Sequence, residues 1–477
     1  MRLALLLLLT SLTACQWNVH PEPPDGLPPG EHLPPPPEYD DEGIQVSPAG
    51  DDASGDGSAE RPYRTIGHVL RNVAQAGDTL ILRGGEYEEE VRIRLPGITL
   101  RSHSGEWAVI SQPISTDPND SPLTVRFDVE AHGSRLQRVE VKGGYYAVVL
   151  HTAWEQGVGG SGVQDVTIED SVIHSSGRDC IKVNPKANGF TMRRTRVYNS
   201  GAGYPAGTST DDKNAEGIDV VNADDVHIQD SWIHDTATTG IYVKGGGRGT
   251  LIERTLVERT GAMGIALGFD TSPEWFDLEA NPDYFENING TVRNNIVRDA
   301  GGAGIAMYAA LNPLVINNTV IDTAQTYHAP IYFGLTFQDW AEEAGRPATR
   351  NPRVHNNIVS QPTSGNCVAI RQAHEPSLGG DLPAVEGGVA FSHNLYFAGN
   401  GTCRFSDGRH DFSGDLEAWK VHVGATDSHE ADPRLTEDGH LQADSPAIGA
   451  GLVDPAVTLD FDGDVRDATN DIGADQH

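Results

Sequence analysis

The chain has 477 residues, with 68 acidic against 34 basic side chains, a formal net charge of −34 and 38% hydrophobic residues. That balance excludes nucleic acid as a partner, and it disfavours polyanionic sugars unless a divalent cation or a local basic patch intervenes. Such an acidic surface suits calcium binding or high salt, and with no CxxC or HExxH pattern a zinc site has no support.

Residues 1–14, MRLALLLLLTSLTA, carry one Arg and then a short apolar run, which predicts a signal peptide rather than a membrane span. Leu12-Thr13-Ala14-Cys15 resembles the bacterial lipobox. The resemblance implies cleavage before Cys15 and lipid attachment to its sulfur; a plain secretory signal is the alternative. Gln16 follows, with no Asp there to suggest inner-membrane retention, so the same resemblance implies an outer-membrane or cell-surface location. Nine prolines between Pro21 and Pro37 make residues 15–43 a stiff, extended tether that packs no core. No later stretch is apolar enough to cross a membrane, so the lipid is the expected membrane contact.

The folded region is expected over 44–430, followed by a closing segment over 431–477. Its first part predicts a strand, an acidic Gly/Ser loop, a short helix near Pro62–Ala74 and a first coil strand at Thr79–Arg83. Asp51, Asp52 and Asp56 in that loop read as solvated, with calcium as the alternative. The segment resembles the N-terminal lead-in of many secreted β-helix proteins, where a helix plugs the open end. An uncapped end would expose apolar rungs and strand edges. Residues 91–163 predict less regular coils.

Between Val166 and Tyr396 one motif recurs eight times, in copies such as VTIEDSVIHSSGRDCIKV and VHIQDSWIHDTATTGIYV. Aligning on the apolar residue before the turn gives Ile168, Met192, Ile228, Ile252, Val292, Ile316, Val354 and Phe391, at spacings of 24, 36, 24, 40, 24, 38 and 37. Alternating β-branched residues at this period, without helical periodicity, predict stacked strands. A coil of three short strands cannot bury its inner face alone, so stacking supplies the core. A polar slot follows the first strand: Ser171, Thr195, Ser231, Thr255, Asn295, Thr319, Asn357 and Asn394. Small hydroxyl and amide groups stacked there can satisfy turn backbone. The pattern resembles the right-handed parallel β-helix of the pectate-lyase-like superfamily over about two thirds of the chain. It implies an all-β solenoid of about ten coils with an N-terminal helical cap and a C-terminal capping segment.

Cys367 and Cys403 lie one coil apart, and a disulfide is expected in an oxidising compartment. Cys180 reads as an unpaired strand residue. Near the C-terminus, Asp460, Asp462, Asp464 and Asp471 have calcium-loop spacing, but Val465 stands where an EF-hand needs Gly, which favours a capping turn.

Outward side chains of the strand after each turn form columns, because equal phases on adjacent rungs lie about 4.8 Å apart. One column reads Lys182, Asp219, Tyr242, Ala266, Ala306, Tyr332; its neighbour runs His151, Asn184, Val221, Lys244, Gly268, Tyr308, Gly334, Arg371. A third starts Asp179, Glu216, Thr239. Three insertions surround the cluster: 200–215 with Asp211, Asp212 and Lys213; 268–289 with Phe269, Trp275, Phe276, Tyr284 and Phe285; and 334–350 with Phe337 and Trp340. Aromatic rings on such excursions either stack on sugars or anchor their loops.

Carboxylates beside lysines suggest β-elimination, with Asp179, Glu216 and Asp219 holding calcium and an unprotonated lysine removing the α-proton of a uronate. Polysaccharide lyases on the resembled fold use calcium with a basic residue. Lys244, Lys182 and Tyr242 are the catalytic candidates, with Lys244 preferred because Lys182 abuts Asp219. His151, Trp275, Tyr308 and Arg371 are the substrate-binding candidates. Two alternatives stand: hydrolysis by the paired carboxylates, and a non-catalytic glycan-binding or adhesin-like surface protein whose charges form only a salt-bridge ladder. The expected partner is a polysaccharide and the expected state a monomer.

Overall fold

The computed structural model describes residues 38–477, apart from 155–159, 337–346, 363–364, 377–379, 400, 426 and 468. The signal peptide, Cys15, most of the tether, Phe337 and Trp340 lie outside the described residues. Among those described, no helix is long and apolar enough to cross a membrane.

Three short strands per coil stack in register into three long sheets, each of twelve strands among the described residues. The pairing is parallel through the three sheets until the hairpin strand Phe412–Gly414 closes antiparallel on Arg404–Asp407, and a separate hairpin pairs Gln372–Glu375 antiparallel with Gly380–Pro383. The expected ten coils fall short because the first four rungs lack the later period. Thr79 pairs with Thr99 after only 20 residues, whereas Thr99 pairs with Arg135 after 36.

The interior is set by alternation. Ile228 pairs with Met192 on one side and Ile252 on the other, and all three are fully buried. On the third sheet Ile181, Ile218, Ile241 and Ile265 stack likewise. One rung departs from the sequence alignment. Val315, not Ile316, pairs with Val292 and Val354, and the polar slot there is Asn318, not Thr319. Coil length is 23 residues at that step, so a fixed 24-residue frame lands one position late. The slot then forms a continuous ladder: Asn295 Nδ2 donates to Asn318 Oδ1 at 3.0 Å, Asn318 to Asn357 at 3.0 Å, and Asn357 to Asn394 at 3.1 Å. The residue before the slot is left-handed, as at Asp230 (φ 50°) and Asn294 (φ 53°), a geometry Asn and Asp tolerate best among side-chain-bearing residues.

Helix α1 (Ile66–Asn72) closes the N-terminal end as expected, burying Ile66 and Val69 against the first coils. Thr65 Oγ1 accepts from His68 N–H, and the Glu89 carboxylate accepts from Ile66 and Gly67 N–H at 2.8 Å. The loop aspartates build turns: Asp51 accepts from Ala53 and Ser54, Asp52 from Arg64 and Thr65, and Asp56 from Ser58. Residues 39–43 do not behave as free tether. Tyr39 Oη donates to Asp170 at 2.6 Å, and Asp40 pairs with Arg101 at 2.9 Å.

The C-terminal end is closed by helix α2 (Leu416–Val423), whose buried Trp419 stacks on Phe405 and meets Phe391 and Phe412. Residues 431–477, expected as the closing segment, instead fold back along the flank. Leu441, Ala447 and Ile472 pack on Ile358 and Leu395; Phe461 and Ala474 on Leu256 and Ile296; Val457 on Leu314 and Ile316. Buried Arg466 ties this segment together by donating to Leu459, Gly473 and Ala474 carbonyls and to Asn294. The aspartates with calcium-loop spacing are spent internally. Asp460 accepts from Asp462, Asp464 and Gln476 N–H, Asp471 from Gly449 and His477 N–H, and Asp462 binds His440 at 2.9 Å.

The Cys367–Cys403 disulfide is formed, with Cα atoms 5.7 Å apart, and Cys180 is a buried free thiol.

Candidate functional site

The third sheet positions the polar cluster. In-register pairing sets Lys182 beside Asp219 and Asp219 beside Tyr242, and Val221 beside Lys244. The three strands alternate, so these side chains face outward while Ile181, Val183, Ile218 and Val220 fill the core. The sequence phases of this column therefore hold.

Lys182 and Asp219 form an ion pair, and Asp219 is only 2% exposed. Burial works to lower the Lys182 pKa, yet the Asp219 and Asp179 carboxylates outweigh it and hold the ammonium above the usual lysine range. Burial likewise pushes the Asp219 carboxyl up, but Lys182 and Lys244 together hold it below the usual range. Asp179 lacks such a partner. Burial, then the Glu216 and Asp219 charges, drive its carboxyl well above the ordinary value.

Asp179 Oδ1 accepts from Glu216 N–H at 3.1 Å, and Glu216 Oε1 accepts from Thr238 Oγ1 at 2.9 Å. The remaining oxygens, Asp179 Oδ2, Glu216 Oε2 and Asp219 Oδ1, are buried without a hydrogen-bond partner among the described residues. Unpaired buried acceptors are costly and call for a proton or a cation. One oxygen from each carboxylate lies within 4.8 Å of the others. Oxygens bound to one calcium at about 2.3–2.6 Å fall within such a spread. The hard-oxygen donor set thus fits calcium.

Asp219 of this cluster lines a cavity of about 580 Å³, together with Lys182, Tyr242, Lys244, His151 and Trp275, while Asp179 and Glu216 stay outside its lining. Lys244 Nζ donates to Tyr242 Oη at 3.0 Å and lies 4.2 Å from the centroid of that ring. Tyr242 is 3% exposed; burial and then the Asp219 and Glu216 charges push its hydroxyl well above the usual range. The turn after Lys244 is packed. A Cβ at Gly247 would stand 2.8 Å from Ala223 O, and Gly245 and Gly246 have φ of 70° and 100°. Buried Glu286 holds this turn by accepting from Gly245 N–H at 2.8 Å, and it holds Thr271 through its N–H and hydroxyl. Burial raises the Glu286 carboxyl to about 7, against the pull of these hydrogen bonds and of Lys244.

Trp275 sits at the mouth edge-on to Trp154, with ring centroids 5.3 Å apart, and His151 lies 6.2 Å from Trp154. Asn222 donates to Trp275 O, and Lys186 pairs with Asp277, fixing the loop. Phe276 and Phe285 are buried loop anchors, and Phe269 packs between Tyr242 and Tyr308. The structure does not bring Tyr308 and Arg371 into this cavity. Tyr308 is buried against Phe269 and Tyr332 on lower coils, and Arg371 hydrogen-bonds Tyr332. Asp211, Asp212 and Lys213 also stay outside its lining.

Sequence phase missed several lining residues, among them Trp154, Tyr146 and Arg178. Arg178 is held from three sides. Its N–H donates to Tyr145 O at 2.8 Å, Nε to Asn214 O at 2.8 Å, and Nη1 to Tyr145 Oη at 2.9 Å. Its place directly before Asp179, at the cluster's edge, was the available signal.

Residues 154–275 and 217–378 match the family described as right handed beta helix region. The chain is a right-handed parallel β-helix protein. Uncharacterized protein YwoF of Bacillus subtilis (strain 168) is 31% identical over 107 residues, 20% of this chain and 22% of that protein, so the match spans about a fifth of the relative's length. Among solved structures, pectate lyase Pel9A superimposes with a TM-score of 0.52 at 14% identity, covering 91% of this chain and 96% of that one. The mannuronan C-5 epimerase AlgE4 A-module of Azotobacter vinelandii gives a TM-score of 0.48 at 15% identity, over 68% of this chain and 87% of its own. At 14% identity the likeness to Pel9A is one of fold.

Proposed function

We propose that this chain is a surface carbohydrate-active β-helix protein that cleaves uronic-acid polysaccharide by calcium-assisted β-elimination, anchored to the cell envelope through lipid on Cys15. The observation that carries the reading is the set of three buried carboxylate oxygens without a hydrogen-bond partner among the described residues, one of them on Asp219, which shares a cavity with Lys244 and Arg178. The fold shared with pectate lyase Pel9A supports it.

Asp179, Glu216 and Asp219 would hold the ion. Bound there, calcium would supply positive charge that neutralises the uronate carboxylate and acidifies the C5 proton. Lys244, with Tyr242 Oη fixing its nitrogen at 3.0 Å, takes the C5 proton. The C4–O bond breaks as the C4=C5 double bond forms, and the leaving oxygen takes up a proton. Lys182 is committed to Asp219 and stays protonated, so its role is to keep that carboxylate ionised and aimed. Trp154 and Trp275 give the cavity mouth apolar edges suited to a sugar ring. The local cations also answer the charge problem, since Arg178, Lys182 and Lys244 line one cavity on a chain of net charge −34.

The test is ultraviolet absorbance of unsaturated sugar ends released from pectate, alginate and other uronic-acid polymers, with calcium or with chelator. Turnover that needs calcium, and that falls about 100-fold or more in folded Lys244→Ala, supports the reading. Binding of polymer without new unsaturated ends would replace the lyase with a glycan-binding protein, and reducing ends without unsaturation would replace it with a hydrolase.

A further inference from the structure

Resting on the proposed sugar-acid substrate, we infer that Arg178 reads the carboxylate of the bound sugar and sets the preference for uronate over neutral sugar. Three cationic side chains line the cavity, and two are already engaged. The Lys182 charge is matched by Asp219, and Lys244 rests on the Tyr242 hydroxyl and ring. Arg178 makes no ion pair within 4.0 Å among the described residues, although the protein is rich in carboxylates. Its Nη2 donates no hydrogen bond among them either, whereas Nε and Nη1 are both used.

The guanidinium is nevertheless fixed before any ligand arrives. Its carbon lies 5.4 Å from the Tyr145 centroid and 5.7 Å from that of Tyr146, so two rings and two acceptors set its plane. The backbone is equally constrained, because a Cβ on the preceding Gly177 would stand 1.7 Å from Ser115 O. A preorganised planar donor with spare N–H groups suits a carboxylate, loses little entropy on binding, and offers a neutral hydroxymethyl or ester group far less. Arg178 stands in the bend that precedes the Ile181–Val183 strand carrying Lys182, and it lines the same cavity as Lys182 and Asp219. One sugar carboxylate between Arg178 and the carboxylate cluster would therefore orient the ring with its C5 side toward Lys244.

Titration calorimetry with galacturonate and mannuronate trisaccharides, and with the methyl ester of each, tests this in the intact chain with calcium present. Wild type should bind an acid more tightly than its ester. Arg178→Gln should cut that preference about tenfold, the factor that 1.4 kcal/mol of lost charge-assisted hydrogen bonding gives. Affinity for the ester should stay at the wild-type level, and Arg178→Lys should recover part of the preference. Equal loss for acid and ester in both variants would show a merely structural Arg178 and overturn the assignment. An unchanged acid-to-ester ratio in Arg178→Gln would overturn it too, while leaving the lyase reading intact. Wild type that binds neither acid more tightly than its ester would overturn the sugar-acid substrate and the inference together. Circular dichroism melts separate loss of binding from loss of folding, and Arg178→Lys serves if the Gln variant does not fold.

Discussion

Replacing Asp179 by Asn should stabilise the calcium-free protein while abolishing its stabilisation by calcium. Asp179 Oδ1 accepts from Glu216 N–H at 3.1 Å, a bond an amide oxygen keeps. The other oxygen is buried without a hydrogen-bond partner among the described residues, as are Glu216 Oε2 and Asp219 Oδ1. An amide nitrogen in its place removes one of three like charges and brings two protons toward the two bare acceptors. A hydrogen bond to a charged group is worth about 1.5–3 kcal/mol, which sets the expected gain. The sign follows from linkage. The folded Asp179 carboxyl is held well above 3.8, so the unfolded chain releases its proton first. Wild-type stability therefore falls as pH rises from the ordinary aspartate value toward the folded one, and the Asn variant lacks that slope. Its advantage should be absent in acid and grow toward neutral pH. With calcium at about 100 times its dissociation constant, wild type should gain about 2.7 kcal/mol and the variant far less. Urea melts in chelator across pH, then in excess calcium, measure both effects. An Asn variant less stable than wild type in chelator at neutral pH would refute the charge argument. One that keeps the full calcium gain would show that the ion binds elsewhere.

Two further outcomes are expected. His440 is raised to about 9, first by its hydrogen bond to Asp462, against burial, with the Asp462 and Asp475 charges adding to the rise. Its hold on the folded-back segment should be complete below 6.5 and lost as pH rises through about 9. Limited proteolysis of residues 431–477 should accelerate over that window in wild type and be fast throughout in His440→Gln; a flat wild-type rate would remove His440 from the clamp. Cys15→Ser should move the protein from the membrane fraction to the soluble fraction, and a variant still sedimenting with membranes at wild-type level would end the lipid-anchor reading.

Much of this architecture was legible in one dimension. Parallel strands stacked in register make residues of equal phase neighbours, so reading Ile228 against Ile252, or Lys182 against Asp219 against Tyr242, needed only the coil period and strand alternation. The Asn slot was visible for the same reason, as was the Cys367–Cys403 pair. The one-residue slip at Val315 and Asn318 marks the limit, since a frame of fixed length cannot register a coil one residue short. Leu256, Ile296, Ile358 and Leu395 are covered by residues 431–477, a contact the repeat pattern did not assign. That residues 431–477 lie there depends on contacts such as Asn317 with Asp471 and Asn294 with Arg466, between segments more than 100 residues apart with no shared period. The aim of Arg178, set by Asn214 and Tyr145, and the packed turn after Lys244, held by Glu286, were decided in the same way. Periodicity fixes which side chains stack, because stacking repeats at every rung. Insertions and ends do not repeat, so their paths are settled only when the whole solenoid is there to pack against.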